Sequence, residues 1–513
     1  MMSSSRSALT ALLVCAVAAR AQSPGASSAA PAGGLTLQAA IDAALTGNSQ
    51  IRNDWLQVEG FRGQLLAKSA PFDMQVHSAV SRRHDNPQLA SSEFVGEQAT
   101  NYELSVSRQL HSGVTLSPSV QVARSQYGLP NAPATGTATV GISAQVPLLY
   151  DRGGAVTATA LRVGEYDLDG IRGSWKTSVT VNVNATATAY WNYVAAVERL
   201  SAQREAEVRA QRLLDETTQL VRNQERAPAD LEQLRANLAA KRGARILAEQ
   251  SVVESRVQLG STMGLDASHV MALPLPATEF PVPPDSNTNA ASSSASSIER
   301  LVALARDRRP DLAAAQSRIH AWDLELKQFH SAVLPHFDLV MNLGYQGFTI
   351  GAGYNPLVSP LYRNVPGLNA TLEFRYDAAV DNSGARGQLA QEAASVGQQH
   401  IALHDVERQV ITDVETAAAG VDRSVLALRE SQAAVALFRR TVDNEKRKLQ
   451  LGMSTLFDVL NAEDALTNAL LTDVNNRRTY AAALASLRVA TGTLADIHDD
   501  TPHVDAARLL VAP

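Results

Sequence analysis

Apolar residues recur every seven positions along the C-terminal half, at Val421, Leu428, Val435, Val442 and Leu449. The same pattern stands 228 residues earlier, at Tyr193, Leu200, Glu207, Leu214 and Val221, where four of the five suit a buried seam. Leu238 and Leu466, Leu259 and Leu487, Asp230 and Asp458, and Gly264 and Gly492 match at the same offset. A repeat of this length means two copies of one large helical unit. Its seven-residue period predicts helices packed along straight, supercoiled seams.

Each copy begins with a helical pattern. Leu35–Ala70 carries Ile41, Ala44, Leu45, Ile51, Trp55, Val58 and Leu65 at helical spacing, and Ile298–Leu334 carries Leu301, Leu304, Leu312, Ile319, Trp322 and Leu326. Both end just before a proline, Pro71 and Pro335, as helices commonly do. Alternating segments follow. Phe72, Met74 and Val76 answer to Phe337, Leu339, Met341 and Leu343, and each copy returns through Val140, Ile142, Ala144 and Val146 or Leu368, Ala370, Leu372 and Phe374. Period two predicts strands within 72–149 and 336–377. Pro71 to Gly154 is 83 residues but Pro335 to Asn382 is 47, so the first copy holds 36 extra. Tyr102–Leu110, Ser112-Gly113 and Thr115–Ala123 read as an added hairpin whose position the pattern leaves open.

Long helical hairpins are predicted next, over 155–264 and 384–492, reversing at Glu225–Pro228 and Leu451–Thr455. Residues 155–226 as one helix would span about 108 Å. The repeats therefore cover 35–273 and 298–495, joined by a Pro-, Asn- and Ser-rich linker at 274–297. Residues 22–34 read as a flexible lead-in, and 496–513 as an irregular tail.

Composition narrows the function. Residues 1–21 read as a signal peptide, with Arg6, the apolar run Ala8–Ala18 and Ala19-Arg20-Ala21 as a cleavage site. Cys15, the only cysteine, falls inside it, so the mature chain is expected to have no disulfide or thiol nucleophile. Nothing after residue 21 approaches 18 consecutive apolar residues, which predicts no membrane-spanning helix. The net charge of -6 argues against nucleic acid as a partner. His400 and His404, one turn apart near Glu407, have a spacing that could bind metal, but read as solvated positions. No nucleophile–base pair, phosphate loop or paired carboxylates stand out, so neither enzyme activity nor a cofactor or metal site is expected.

Open strand edges are not tolerated in hydrocarbon, so a membrane-embedded version of these strands must close by recruiting other chains. Three chains with four strands each would form a twelve-stranded barrel around an aqueous lumen. The fold class read here is thus mainly α with β: duplicated long α-helical hairpins forming an α-barrel, plus a transmembrane β-barrel completed by trimerisation.

Over residues 35–495 the chain resembles the TolC-like outer-membrane efflux proteins. The resemblance rests on Leu37-Gln-Ala-Ala-Ile-Asp-Ala-Ala-Leu45 with Asn48, Arg308-Arg309-Pro310-Asp311-Leu312, Val146–Gly154 and Leu451–Ala462. It implies a homotrimer in the outer membrane of a Gram-negative bacterium, extending into the periplasm. There it would meet a periplasmic adaptor protein and an inner-membrane pump, and export substrates passively. It also implies an acidic ring at the periplasmic aperture from Asp458, with Asp230, while Asn461 and Ser454 depart from the family's acidic and basic residues. Resemblance places adaptor docking at the hairpin tips, Gly452-Met453 and Arg226-Ala227. The bland alternatives are a charge at a helix start and simple turn chemistry. Tyr345, Phe348, Tyr102 and Tyr127 could form membrane-interface aromatics against outer-membrane lipid, although strand packing selects such residues too. The rival function, an exported coiled-coil scaffold or adhesin without a pore, explains the heptads but not the strands. A periplasmic adaptor would want one hairpin and a lipoyl-like domain.

Overall fold

The computed structural model describes residues 34–85, 97–127, 133–283, 295–351, 359–362, 367–498 and 500–513. The expected signal segment 1–21 lies outside them, as does nearly all of the lead-in. The first half runs α1 (Leu37–Gly47), α2 (Ser49–Ser69), β1 (Gln75–Asp85), β2 (Glu97–Gln109), β3 (Thr115–Tyr127) and β4 (Thr135–Pro147). It continues through α3 (Gly154–Thr157), α4 (Thr159–Arg222), α5 (Ala229–Thr262) and α6 (Ala267–Met271). The second half is α7 (Ala295–Arg308), α8 (Pro310–Ala332), β5 (His336–Ile350), β6 (Asn369–Asp377), α9 (Ser383–Gln450) and α10 (Leu456–Ala490).

Helices α4 and α9, of 64 and 68 residues, are about 100 Å long. Their last residues, Arg222 and Gln450, stand 228 apart, as do Thr262 and Ala490 at the ends of α5 and α10. Helix α4 packs against α2 in its first half and α5 in its second, while α8 and then α10 lie between α4 and α9. The heptad seam is real. Val421, Leu428, Val435 and Val442 are buried, joined by Leu466, Tyr480 and Leu484 from the returning helix. Glu207, the polar member of the earlier seam, is held 2.7 Å from Arg245.

The helix expected over Leu35–Ala70 is two helices. Asn48 breaks it: its Oδ1 accepts from the Gln50 and Ile51 amides at 2.8 and 3.3 Å, and its amide group donates to the Thr262 carbonyl at 2.9 Å. The break seats itself on the end of α5. Gly264 has φ +71°, and a Cβ there would lie 2.2 Å from the Gly47 carbonyl oxygen. The second copy repeats the arrangement. Gly492, at φ +67°, abuts Arg308 and Arg309 where α7 gives way to α8. Only glycine allows so close a backbone crossing at positive φ.

The strands form one antiparallel sheet in the order β1-β2-β3-β4-β5-β6. This corrects the count of four strands per chain: the added hairpin enters the same sheet as β2 and β3, between β1 and β4. The tail is not irregular either. It forms a small hairpin, Asp496–His498 with Thr501–His503, and buries Val504 and Leu509. Residues 274–283, assigned to the linker, run beside Leu35, and Tyr190 fastens both: its hydroxyl donates to the Leu35 carbonyl at 2.8 Å and accepts from the Thr278 amide at 3.0 Å. Among the described residues no helix is long and apolar enough to cross a membrane.

Candidate functional site

Two regions carry the chemistry of interest, the helical tips at one end and the sheet at the other. At the second tip Thr455 caps α10. Its hydroxyl oxygen accepts from the Asp458 amide at 3.2 Å, and the Asp458 carboxylate accepts from the Thr455 amide at 3.0 Å, a reciprocal capping box. Hydrogen bonds from the Thr455 side chain, its backbone and Ser454 hold the Asp458 carboxyl below the ordinary aspartate range. Ser454 stands 2.8 Å from Glu445, whose other oxygen meets Lys448 at 2.6 Å. Ser454, where a basic latch is absent, therefore ties the last turns of α9 to the first turn of α10. Gly452 takes φ +72°, and nothing lies within 4 Å of a Cβ there. Leu451, Met453 and Phe457 around it are 74, 74 and 59 % exposed.

The first tip uses other means. Gln224, 228 positions before Gly452, takes φ +67° without being glycine. Arg226 reaches across to the second hairpin, donating to the Leu449 carbonyl at 3.3 Å, and stands 3.9 Å from Asp230 at the start of α5. A cation suits the orphan carbonyls at the end of α9. Ala227 is exposed.

Asp458 and Asn461 continue into an exposed stripe along α10 with Asn468, Thr472, Thr479 and Ser486. Asp458 is the one charged side chain among these six. The seven-residue spacing of Asn461 and Asn468 was the signal that sequence reasoning could have used to find the stripe. Behind it, Glu463 is gripped by Arg209 at 2.7 Å and Lys446 at 2.6 Å, so α4, α9 and α10 meet on one carboxylate.

The sheet has two chemically distinct faces. Cross-strand partners share a face, and the rows Val76–Val106, Leu104–Val120–Val140–Tyr345 and Tyr102–Val122–Ala138 lie on one side. Ile142–Leu343–Ala370, Ala144–Met341–Leu372 and Val146–Leu339–Phe374 continue it. The other side presents Ser81–Asn101, Glu103–Gln121–Thr139–Gln346 and Gln145 beside Asp338. The ten steps from Phe337 to Gly347 run roughly 33 Å along β5, which at the roughly 40° tilt of outer-membrane strands spans an apolar band of about 25 Å.

Tyr102 and Tyr345 stand on the apolar face. Phe348 does not: it pairs with Thr137 on the polar side, so the interface expectation for it is withdrawn, because one step along a strand reverses the face. The side chain of Tyr127 lies outside the described residues. Sequence reasoning passed over a nearby aromatic group, Phe337 with Phe374 at 6.0 Å and Tyr376 at 6.2 Å, at the helix-proximal end of the apolar face. His400 sits 3.6 Å from Asp323 and His404 3.9 Å from Glu407. Among the described residues no three His, Cys, Asp or Glu side chains gather as a metal site requires.

Comparison with known proteins agrees with this geometry. Residues 301–493 match the family described as Outer membrane efflux protein. The outer membrane protein TolC of Vibrio cholerae is 25 % identical over 325 residues, 60 % of this chain and 67 % of that relative. TolC of Escherichia coli is 25 % identical over 321 residues, and the match spans 61 % of its length. The crystal structure of the Campylobacter jejuni CmeC outer membrane channel superposes with a TM-score of 0.63 at 15 % identity, covering 89 % of this chain and 85 % of that one. Residues 301–493 thus match the outer membrane efflux protein family, and the chain shares its fold with outer-membrane channels over 89 % of its length.

Proposed function

We propose that this chain is one of three identical subunits of an outer-membrane export channel that carries substrates passively outward, working with a periplasmic adaptor and an inner-membrane pump. The observation that carries the reading is a sheet that is apolar on one face, polar on the other, and open at both edges, β1 and β6. In lipid that sheet must close, and identical copies supply edges of the right direction because β1 and β6 run oppositely. The helices below are unclosed in the same sense. Ile246, Leu247 and Val257 on α5 and Ile401, Leu426 and Leu437 on α9 leave apolar surface on the two outermost helices. Threefold closure covers both.

The exposed stripe of α10 then lines the helical conduit, and three Asp458 carboxylates ring its narrow end with Asp230 and Asn461 nearby. The apolar cluster Leu451, Met453 and Phe457, with Gly452, and Arg226 with Ala227 on the first tip, form the surface for the adaptor. The native mass and membrane fraction of the detergent-extracted protein test the reading: a trimer in the outer membrane supports it, and a soluble monomer or dimer sinks it. Bilayer recordings of Asp458→Ala with Asp230→Ala test the ring, which predicts reduced preference for cations. Unchanged selectivity removes it.

A further inference from the structure

We infer that the wall of the outer-membrane barrel contains six strands from each chain, eighteen in all, so that six of its strands stand on no helix. This rests on the channel reading above and specifies its geometry.

Four strands are continued by helices: β1 follows α2, β4 leads through α3 into α4, β5 follows α8, and β6 leads into α9. The hairpin of β2 and β3 has no such continuation and turns at Leu110–Val114. It is nonetheless part of the wall on three counts. It is hydrogen-bonded on both sides, β2 to β1 along eleven residue pairs from Gln75–Ser107 to Asp85–Glu97, and β3 to β4 along eleven from Thr115–Gln145 to Ser125–Thr135. Its apolar residues continue the membrane face without a step. Tyr102 and Val122 stand between Val80 and Ala138, and Leu104 and Val120 between Ser78 and Val140. A hairpin plugging the lumen or lying outside the ring would have no reason to keep that parity, since a shift of one residue reverses every side chain.

Third, its turn is built into the junction between sheet and helices. A Cβ on Gly113, at φ +90°, would lie 2.9 Å from the Thr157 hydroxyl and 3.0 Å from both the Asp151 carbonyl and Pro147, and one on Gly154 would lie 2.9 Å from the His111 carbonyl. The His111 ring stacks on Phe72 at 4.3 Å, and Arg108 donates to the Phe72 carbonyl at 3.2 Å. The turn is therefore wedged between the end of α2 and the start of α3. Because barrel diameter grows nearly in proportion to strand number, eighteen strands make a barrel about 1.5 times as wide as twelve. The barrel is then broader than twelve strand-to-helix junctions alone would set.

Electron cryomicroscopy of the full-length, detergent-extracted trimer tests this directly. Eighteen strands in the wall are expected. A trimer with twelve strands, β1 paired to β4 and residues 97–127 outside the ring, overturns the inference while leaving the channel reading intact. A particle with no closed threefold ring overturns both. A variant lacking residues 97–127 joins an outward strand to an inward one and is expected to assemble with a barrel about two-thirds as wide. An assembled variant whose barrel keeps the full width also overturns the inference, and the full-length strand count decides alone if the variant does not fold.

Discussion

Arg209 of α4 and Glu463 of α10 meet with Nε 2.7 Å from a carboxylate oxygen, and this pair joins the first helical hairpin to the second. Lys446 of α9 takes the other oxygen at 2.6 Å. The Glu463 side chain is only 11 % exposed, so water screens the cluster poorly. Glu463→Gln leaves two cations facing an uncharged amide and should cost about 2 kcal/mol. Thermal unfolding of the solubilised protein should fall by several degrees, and bilayer recordings should show more frequent opening. A variant with unchanged unfolding temperature and gating would show that the cluster holds nothing together.

A second prediction concerns acid. Burial acts to raise the Asp311 carboxyl, but hydrogen bonds and charge from Arg309, with its Nη2 at 2.7 Å, outweigh it and hold Asp311 below the ordinary aspartate range. Arg309 also grips Asp413 of α9 at 2.8 Å. A carboxyl lowered by folding contributes stability that is present above the ordinary aspartate range and is lost as pH falls through its lowered value. Asp311→Asn should therefore lower the unfolding temperature at neutral pH, and the gap from wild type should close on acidification. A gap independent of pH would mean that packing, and not charge, is what the substitution removes.

The third is a ranked glycine series. Gly264→Ala would place a methyl group 2.2 Å from the Gly47 carbonyl, backbone that cannot swing aside, and should cost more than about 2 kcal/mol. Gly492→Ala, with its nearest atom at 2.8 Å, should be milder. Gly397→Ala on α9 meets nothing within 4 Å and should stabilise by about 0.5–1 kcal/mol. Denaturant titration of the three variants checks the order, and an equal effect at all three would refute it.

Much of this architecture is legible because burial along a long helix follows from period alone. Val421 through Val442 are buried for that reason, and alternation likewise exposed the strands. The break at Asn48 was hidden because apolar spacing runs through it from Ala44 to Ile51, and the turn it seats against, at Gly264, lies far along the chain. Phe348 was misplaced because its aromatic character was read ahead of its parity: three steps along β5 from Tyr345 put it on the opposite face. Glu463 had no local signature: its partners come from two other helices.

In the trimer proposed above, the 228-residue repeat would make the ring pseudo-sixfold, so that the seam between α4 and α10 within a chain and one between α9 and the next chain's α5 would be quasi-equivalent. The chemistry at those seams is not equivalent. Arg209 corresponds to Leu437, and Glu463 to Arg235, which is already taken by Glu232 at 2.7 Å. In that trimer the Arg209–Glu463 lock would thus fall on alternate seams only, so that three joints carry it and three do not.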